Sequence, residues 1–222
     1  MARYGTSDGQ LRGVRHVQRR RLSGAAALLL LLGCTWEERE RSEAAQSAAP
    51  AAASDALLDA KRAAADLAGE IEAALTADTL TVETIDRLRE TIDAAAPALN
   101  RTPGTLARGD ATTTYTAFLL DDRVVRLDLE VSLGDYGAYA ARAYFAGAIP
   151  INYRDAGRRG DPAELNEVVT VIYWDLAGSV LDAERSTDGV TGELDATIVD
   201  GARAHVSDVA AEAVRQRAQE TR

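Results

Sequence analysis

Cysteine occurs once in this chain, at Cys34, so no disulfide can form within it and its core must hold the fold alone. Lysine also occurs once, at Lys61, and the arginines of the later part are scattered. Nucleic-acid binding needs clustered Lys and Arg against phosphates, so nucleic acid is not an expected partner. Histidine is limited to His16 and His205, and no HExxH, P-loop, EF-hand or Gly-x-Ser-x-Gly spacing occurs. No metal, no cofactor and no catalytic residues are therefore expected, and the chain reads as something other than an enzyme. The apolar run from Leu22 to Gly33 is 12 residues, short of the roughly 20 that a bilayer-spanning helix needs.

What is present begins with that run. Arg19, Arg20 and Arg21 precede it and Glu37, Glu38 and Glu40 follow it, the layout of a secretory signal with a basic lead and a short apolar centre. Its end, Leu31-Leu32-Gly33-Cys34, resembles the lipobox of bacterial lipoproteins, although Leu32 is larger than the residue usual there. The resemblance implies removal of residues 1–33, diacylation of Cys34 on sulfur and attachment to a membrane through that lipid. Thr35 rather than aspartate follows the cysteine, which under the usual sorting rule implies the outer membrane, facing the periplasm. Arg19-Arg20-x-Leu22 leaves twin-arginine export open beside the general route. With no second Met, Val14 and Val17 are alternative starts.

Residues 1–33 hold six of the 25 basic residues and, at Asp8, one of the 35 acidic ones, so the remainder carries 19 basic against 34 acidic residues, a net charge of −15. Such acidity keeps a domain soluble and holds it off anionic headgroups. The segment 34–53 is rich in Glu, Arg, Ser, Ala and Pro without apolar periodicity and reads as a disordered tether. Residues 54–222 read as a single domain.

Within 54–222, Ser54 caps an expected helix whose Leu57, Ala60, Ala64, Leu67, Ile71 and Leu75 recur at helical spacing. A second helix opens at Thr81 with Val82, Ile85, Leu88 and Ile92 on one face; Pro97 and the stretch 100–104 end it. From Thr112 the period becomes two. Val125, Leu127, Leu129, Val131 and Leu133 alternate with Arg126, Asp128, Glu130 and Ser132, the mark of a strand with one wet face. Strands are expected at 113–120, 123–133, 139–145, 149–153, 168–174 and 180–183, with a polar loop at 154–164. A final helix runs from about Glu193 to Gln219 with Gly201 as its weak point. The expectation is an α+β fold: an antiparallel meander of about six strands, with the helical hairpin and the C-terminal helix packed on one face, that of Val125–Leu133.

A loose repeat runs through the strands. Phe118-Leu119 before Asp121-Asp122, Tyr144-Phe145 before Gly147, and Tyr173-Trp174 before Gly178 each put large residues at a strand end, then a turn, then a returning strand. The pattern resembles bacterial lipoproteins of unassigned activity that carry a helical segment followed by hairpins reading roughly Tyr-Tyr-Phe-Asp-x-Gly-x-Leu. That resemblance covers 105–185 and implies a fold without implying an activity.

Candidate chemistry is sparse. Asp128 and Glu130 share a strand face, as an acid–base or metal pair would, but read more simply as a solvated face. His205 sits three residues before Asp208 on the last helix and reads as solvent-facing. Arg-Gly-Asp occurs at 108–110 and 159–161, both in expected loops, and Arg154, Arg158 and Arg159 form a local basic cluster. The strand 168–174 carries large residues on both faces, so Trp174, Tyr173 and Ile172 are the candidate binding face unless the terminal helix or the polar loop covers them. The expected role is a cell-envelope lipoprotein that binds or scaffolds an envelope protein partner. The alternatives are an envelope enzyme or enzyme inhibitor, or a carrier of a lipophilic ligand.

Overall fold

The computed structural model describes residues 36–77 and 79–221, with side chains from Ser54 onward. The chain divides into two units, residues 1–47 and 48–222. The first is described only over 36–47, as the start of a helix, and the signal segment and Cys34 lie outside the described residues.

Two helices lead the fold, α1 (Trp36–Thr76) and α2 (Val82–Ala95). The backbone is helical from Trp36, so Ser54 lies inside α1 rather than capping it, and the segment read as a tether is drawn as helix from Trp36 on. Alanine, glutamate and arginine are all strong helix formers, and the absence of apolar periodicity reports only that this stretch has no face to bury. At α2 the Thr81 hydroxyl accepts from the Thr84 amide at 3.2 Å, an N-cap contributing about 1 kcal/mol. Pro97 sits in the short 3-10 turn that ends it.

Eight strands follow: β1 (Asn100–Arg108), β2 (Ala111–Leu120), β3 (Arg123–Ser132), β4 (Gly137–Ala146), β5 (Ile149–Asp161), β6 (Glu164–Trp174), β7 (Val180–Thr187) and β8 (Val190–Gly192). They form one antiparallel sheet in sequence order, and α3 (Ala196–Glu220) closes the chain. The meander is therefore eight-stranded rather than six-stranded. β1 was hidden by Pro103 and Gly104, which read as breakers, yet an edge strand tolerates proline. Gly104 is required there, since a Cβ would fall 2.3 Å from the Tyr115 ring on the paired strand. The expected loop 154–164 is the far half of a long β5–β6 hairpin, whose arginines and glycines obscured its alternation. At Asp121-Asp122 both residues take positive φ, which makes a two-residue primed turn matched to strand twist.

Each repeated aromatic pair splits across the sheet. Phe118, Tyr144 and Tyr173 join a core with Leu67, Ile71, Ile85, Leu88 and Ile92 of α1 and α2. Leu119, Phe145 and Trp174 join a second core with Val199, Val206, Val209 and Ala213 of α3. The helical hairpin and α3 thus cover opposite faces, not one. Opposite each aromatic pair the returning strand has one residue too many: Val125, Ile151 and Leu181 are each skipped by the register. Such bulges shift side-chain parity. That is why Val125 packs under the helical hairpin while Leu127, Leu129 and Val131 pack under α3, contrary to the single face their alternation implied.

Candidate functional site

Trp174 and Ile172 are fully buried and Tyr173 is 6% exposed, so the expected binding face is core. α3 covers Ile172 and Trp174, and α1 with α2 covers Tyr173. The part of that strand left open lies nearer its start, at half-buried Val171 and at Val169, 37% exposed.

His205 is half-buried rather than solvent-facing, its Nε2 3.4 Å from Thr113 Oγ1 on β2. Burial and the charge of Arg108 hold the imidazole below its ordinary pKa, against a smaller opposing pull from Asp208. Asp208 itself pairs with Arg108 at 2.6 Å, so it does not orient the ring as a catalytic carboxylate would. Arg108 and Arg159 open the two Arg-Gly-Asp sequences, and both are engaged within the fold. Arg159 meets the buried Asp155 at 2.6 Å and lies 4.6 Å over the Tyr139 ring. The expected basic cluster is divided by strand alternation, with Arg154 and Arg158 on one face of β5 and Arg159 on the other.

The helical hairpin covers only one end of its face of the sheet. Along that face the paired residues form successive rows. The row beneath the helices is Phe118, Arg126, Tyr144, Asn152 and Tyr173; the next is Thr116, Asp128, Arg142, Arg154 and Val171; the third is Thr114, Glu130, Ala140, Ala156 and Val169. Asp128 and Glu130 do share this face, as their spacing implied. The second and third rows line an open depression of about 550 Å³, within the size range of small-ligand sites. Its floor lies low where Ala140 and Ala156 are paired, since alanine projects least above the sheet.

Between helices and depression runs a polar seam. Asp93 of α2 accepts from the Tyr144 hydroxyl at 2.9 Å and from Arg126 at 3.1 Å. Arg126 also grips Asp128 through two donors, and its guanidinium lies 4.5 Å over the Phe118 ring. Arg142 donates to Asp128 at 2.8 Å. Further along, Arg89 and the Tyr173 hydroxyl both bind Asp86, at 2.6 and 2.9 Å. Arg154 donates to that same hydroxyl at 3.0 Å. Burial pushes the Asp128 carboxyl up, but the bonds and charges of Arg126 and Arg142 outweigh it and hold it below the ordinary value. An aspartate so held stays ionised and shuttles protons poorly near neutral pH.

The sequence pattern pointed to Asp128 and the neighbouring Arg126 but not to the α2 side of the seam. Asp86, Arg89 and Asp93 recur at helical spacing along the edge of the apolar stripe of α2, and that was the available signal. No group of three or more His, Cys, Asp or Glu side chains placed to hold a metal occurs among the described residues. No helix among the described residues is long and apolar enough to cross a membrane. Compared with known protein families, curated proteins and solved structures, the chain matches none.

Proposed function

We propose that this chain is a cell-envelope lipoprotein, attached through Cys34, whose folded part is a non-catalytic binding module working through the uncovered end of its sheet. One observation carries the binding half of this reading: of two sheet faces built from the same strands, one is packed under α3 and the other is covered only where α1 and α2 lie, leaving the depression of about 550 Å³. Exposed Ala140, Ala156 and Thr114 keep that end low and accessible. The ionised, arginine-bound Asp128 fits a recognition surface better than an acid–base site.

The anchoring half rests on the lipobox resemblance. Two or three acyl chains exceed the marginal attachment that one chain gives at about 0.8 kcal/mol per buried CH₂. Thr35 directs the reading to the outer membrane, with the domain in the periplasm.

Cell fractionation combined with site-specific photo-crosslinking tests both halves. Cys34→Ala is expected to move the chain out of the detergent-requiring membrane fraction, and retention there refutes the anchor. A photo-reactive group at Ala156 should give discrete adducts in cells, whereas one at Val190, 73% exposed on the short last strand, should not. Equal labelling from both positions, or none from Ala156, refutes the binding surface.

A further inference from the structure

The depression holds two charges of opposite sign that no ion pair compensates among the described residues. In the seam, four guanidiniums (Arg89, Arg126, Arg142 and Arg154) face three carboxylates (Asp86, Asp93 and Asp128). Each of the first three guanidiniums touches a carboxylate. Among the described residues Arg154 hydrogen-bonds only to the Tyr173 hydroxyl, which gives its own proton to Asp86. Arg154 is exposed and stands directly opposite Arg142 across the β4–β5 pair. Like charges so placed on a sheet face repel, and a carboxylate seated on both removes the repulsion.

In the third row, across Ala140, Glu130 is exposed and makes no side-chain hydrogen bond or ion pair with any of the described residues. It lies two strands and one row from Arg154, a diagonal of roughly 12 Å between backbones at ordinary strand spacing. Both residues line the same depression. Beside Arg142 and Arg154, Ala140 and Ala156 let a backbone approach the sheet closely, and Val169 and Val171 supply an aliphatic flank.

We infer that the depression binds a short peptide with free ends, its carboxylate on Arg154 and Arg142 and its terminal ammonium on Glu130. An extended tripeptide advances about 3.4 Å per residue and sets its terminal charges roughly 10 Å apart, matching the span once side-chain reach is included. A plain anion would satisfy Arg154 and be repelled by Glu130; a hydrocarbon chain would satisfy neither. This assignment rests on the binding-module reading above and names its ligand class.

Titration calorimetry on the full chain in detergent, with trialanine as the probe, tests it. Trialanine should bind, and N-acetylation or C-terminal amidation should each weaken binding about tenfold or more. Arg154→Gln should remove the sensitivity to amidation while keeping that to acetylation, and Glu130→Gln should do the reverse. Both substitutions are on an exposed face, and unchanged melting temperatures confirm that the fold is kept. The assignment is overturned if trialanine fails to bind at about 10 mM, if the capped peptides bind as well as the free one, or if either variant keeps full end discrimination. Acetate competing as strongly as trialanine also overturns it, leaving a simple anion site. A chain that labels from Ala156 in cells but ignores trialanine loses this ligand and keeps the module; retention of Cys34→Ala in the membrane fraction removes the anchor and leaves the peptide result untouched.

Discussion

Beneath α1 and α2, adjacent strands present Phe118, Arg126, Tyr144 and Tyr173; two rows along the same strands and the same face, they present Thr114, Glu130, Ala140 and Val169. The bulges lie at the covered end and the ladder runs regularly at the open end, but the pairing itself does not decide which end is covered. Side-chain volume and burial do. At the covered end the aromatic residues are buried between helices and sheet, each large side chain contributing about 1.5–3 kcal/mol by leaving water. At the open end small and charged residues contribute little to stability and leave room above the sheet. Stability and accessibility are thereby assigned to different rows of one surface, with the seam of Asp93, Arg126, Asp128 and Arg142 between them.

That division is open to direct tests of stability. Phe118→Ala, beneath α1 and α2, should cost about 3–5 kcal/mol and lower the melting temperature sharply; a near-wild-type thermal transition would show that the covered end is not the stabilising one. Arg126→Met keeps an apolar stem over Phe118 but takes the more buried of the two cations from Asp93 and Asp128, leaving them Arg142 alone. The expected loss is about 1–2 kcal/mol by urea denaturation, less than for a sealed ion pair because both aspartates reach water. No loss would mean that the seam is decoration.

The seam should also respond to acid. Because the folded-state pKa of Asp128 lies below its unfolded value, its contribution is complete above about pH 4 and disappears as pH falls through the folded value. Asp128→Asn should therefore be less stable than wild type at neutral pH and converge toward it as pH falls through that window; parallel curves would refute the charge coupling. The smallest effect belongs to the open end, where Ala140→Ser should change stability by no more than about 0.5 kcal/mol. A large loss there would mean that the floor of the depression is part of the packed core.

Much of the architecture was legible in local patterns. The helical stripes of α1 and α2, the cap at Thr81, the turn at Asp121-Asp122 and the alternation of β3 are all short-range consequences of burial periodicity and turn stereochemistry, so neighbouring residues encode them. β1, β8 and the far arms of β5 and β6 were not legible, because edge and solvent-facing strands need no continuous apolar alternation. The binding surface was misplaced for a related reason. Tyr173 and Trp174 read as an unclaimed face because strand alternation tells which residues share a side without telling what covers that side.

By itself the sequence determined the α+β class with helices before and after an antiparallel meander, the repeated aromatic hairpins and the acidic charge, since each follows from residue chemistry acting over a few positions. It also supplied the lipobox resemblance at Cys34, which lies outside the described residues. Only the tertiary structure decided that the helical hairpin and α3 take opposite faces, that the bulges at Val125 and Ile151 turn both residues into the core under the helical hairpin, and that Arg154 and Glu130 line one depression. Those outcomes depend on pairing register and on which residues distant in sequence come to cover a strand. A single residue skipped by the register reverses the side on which everything after it lies.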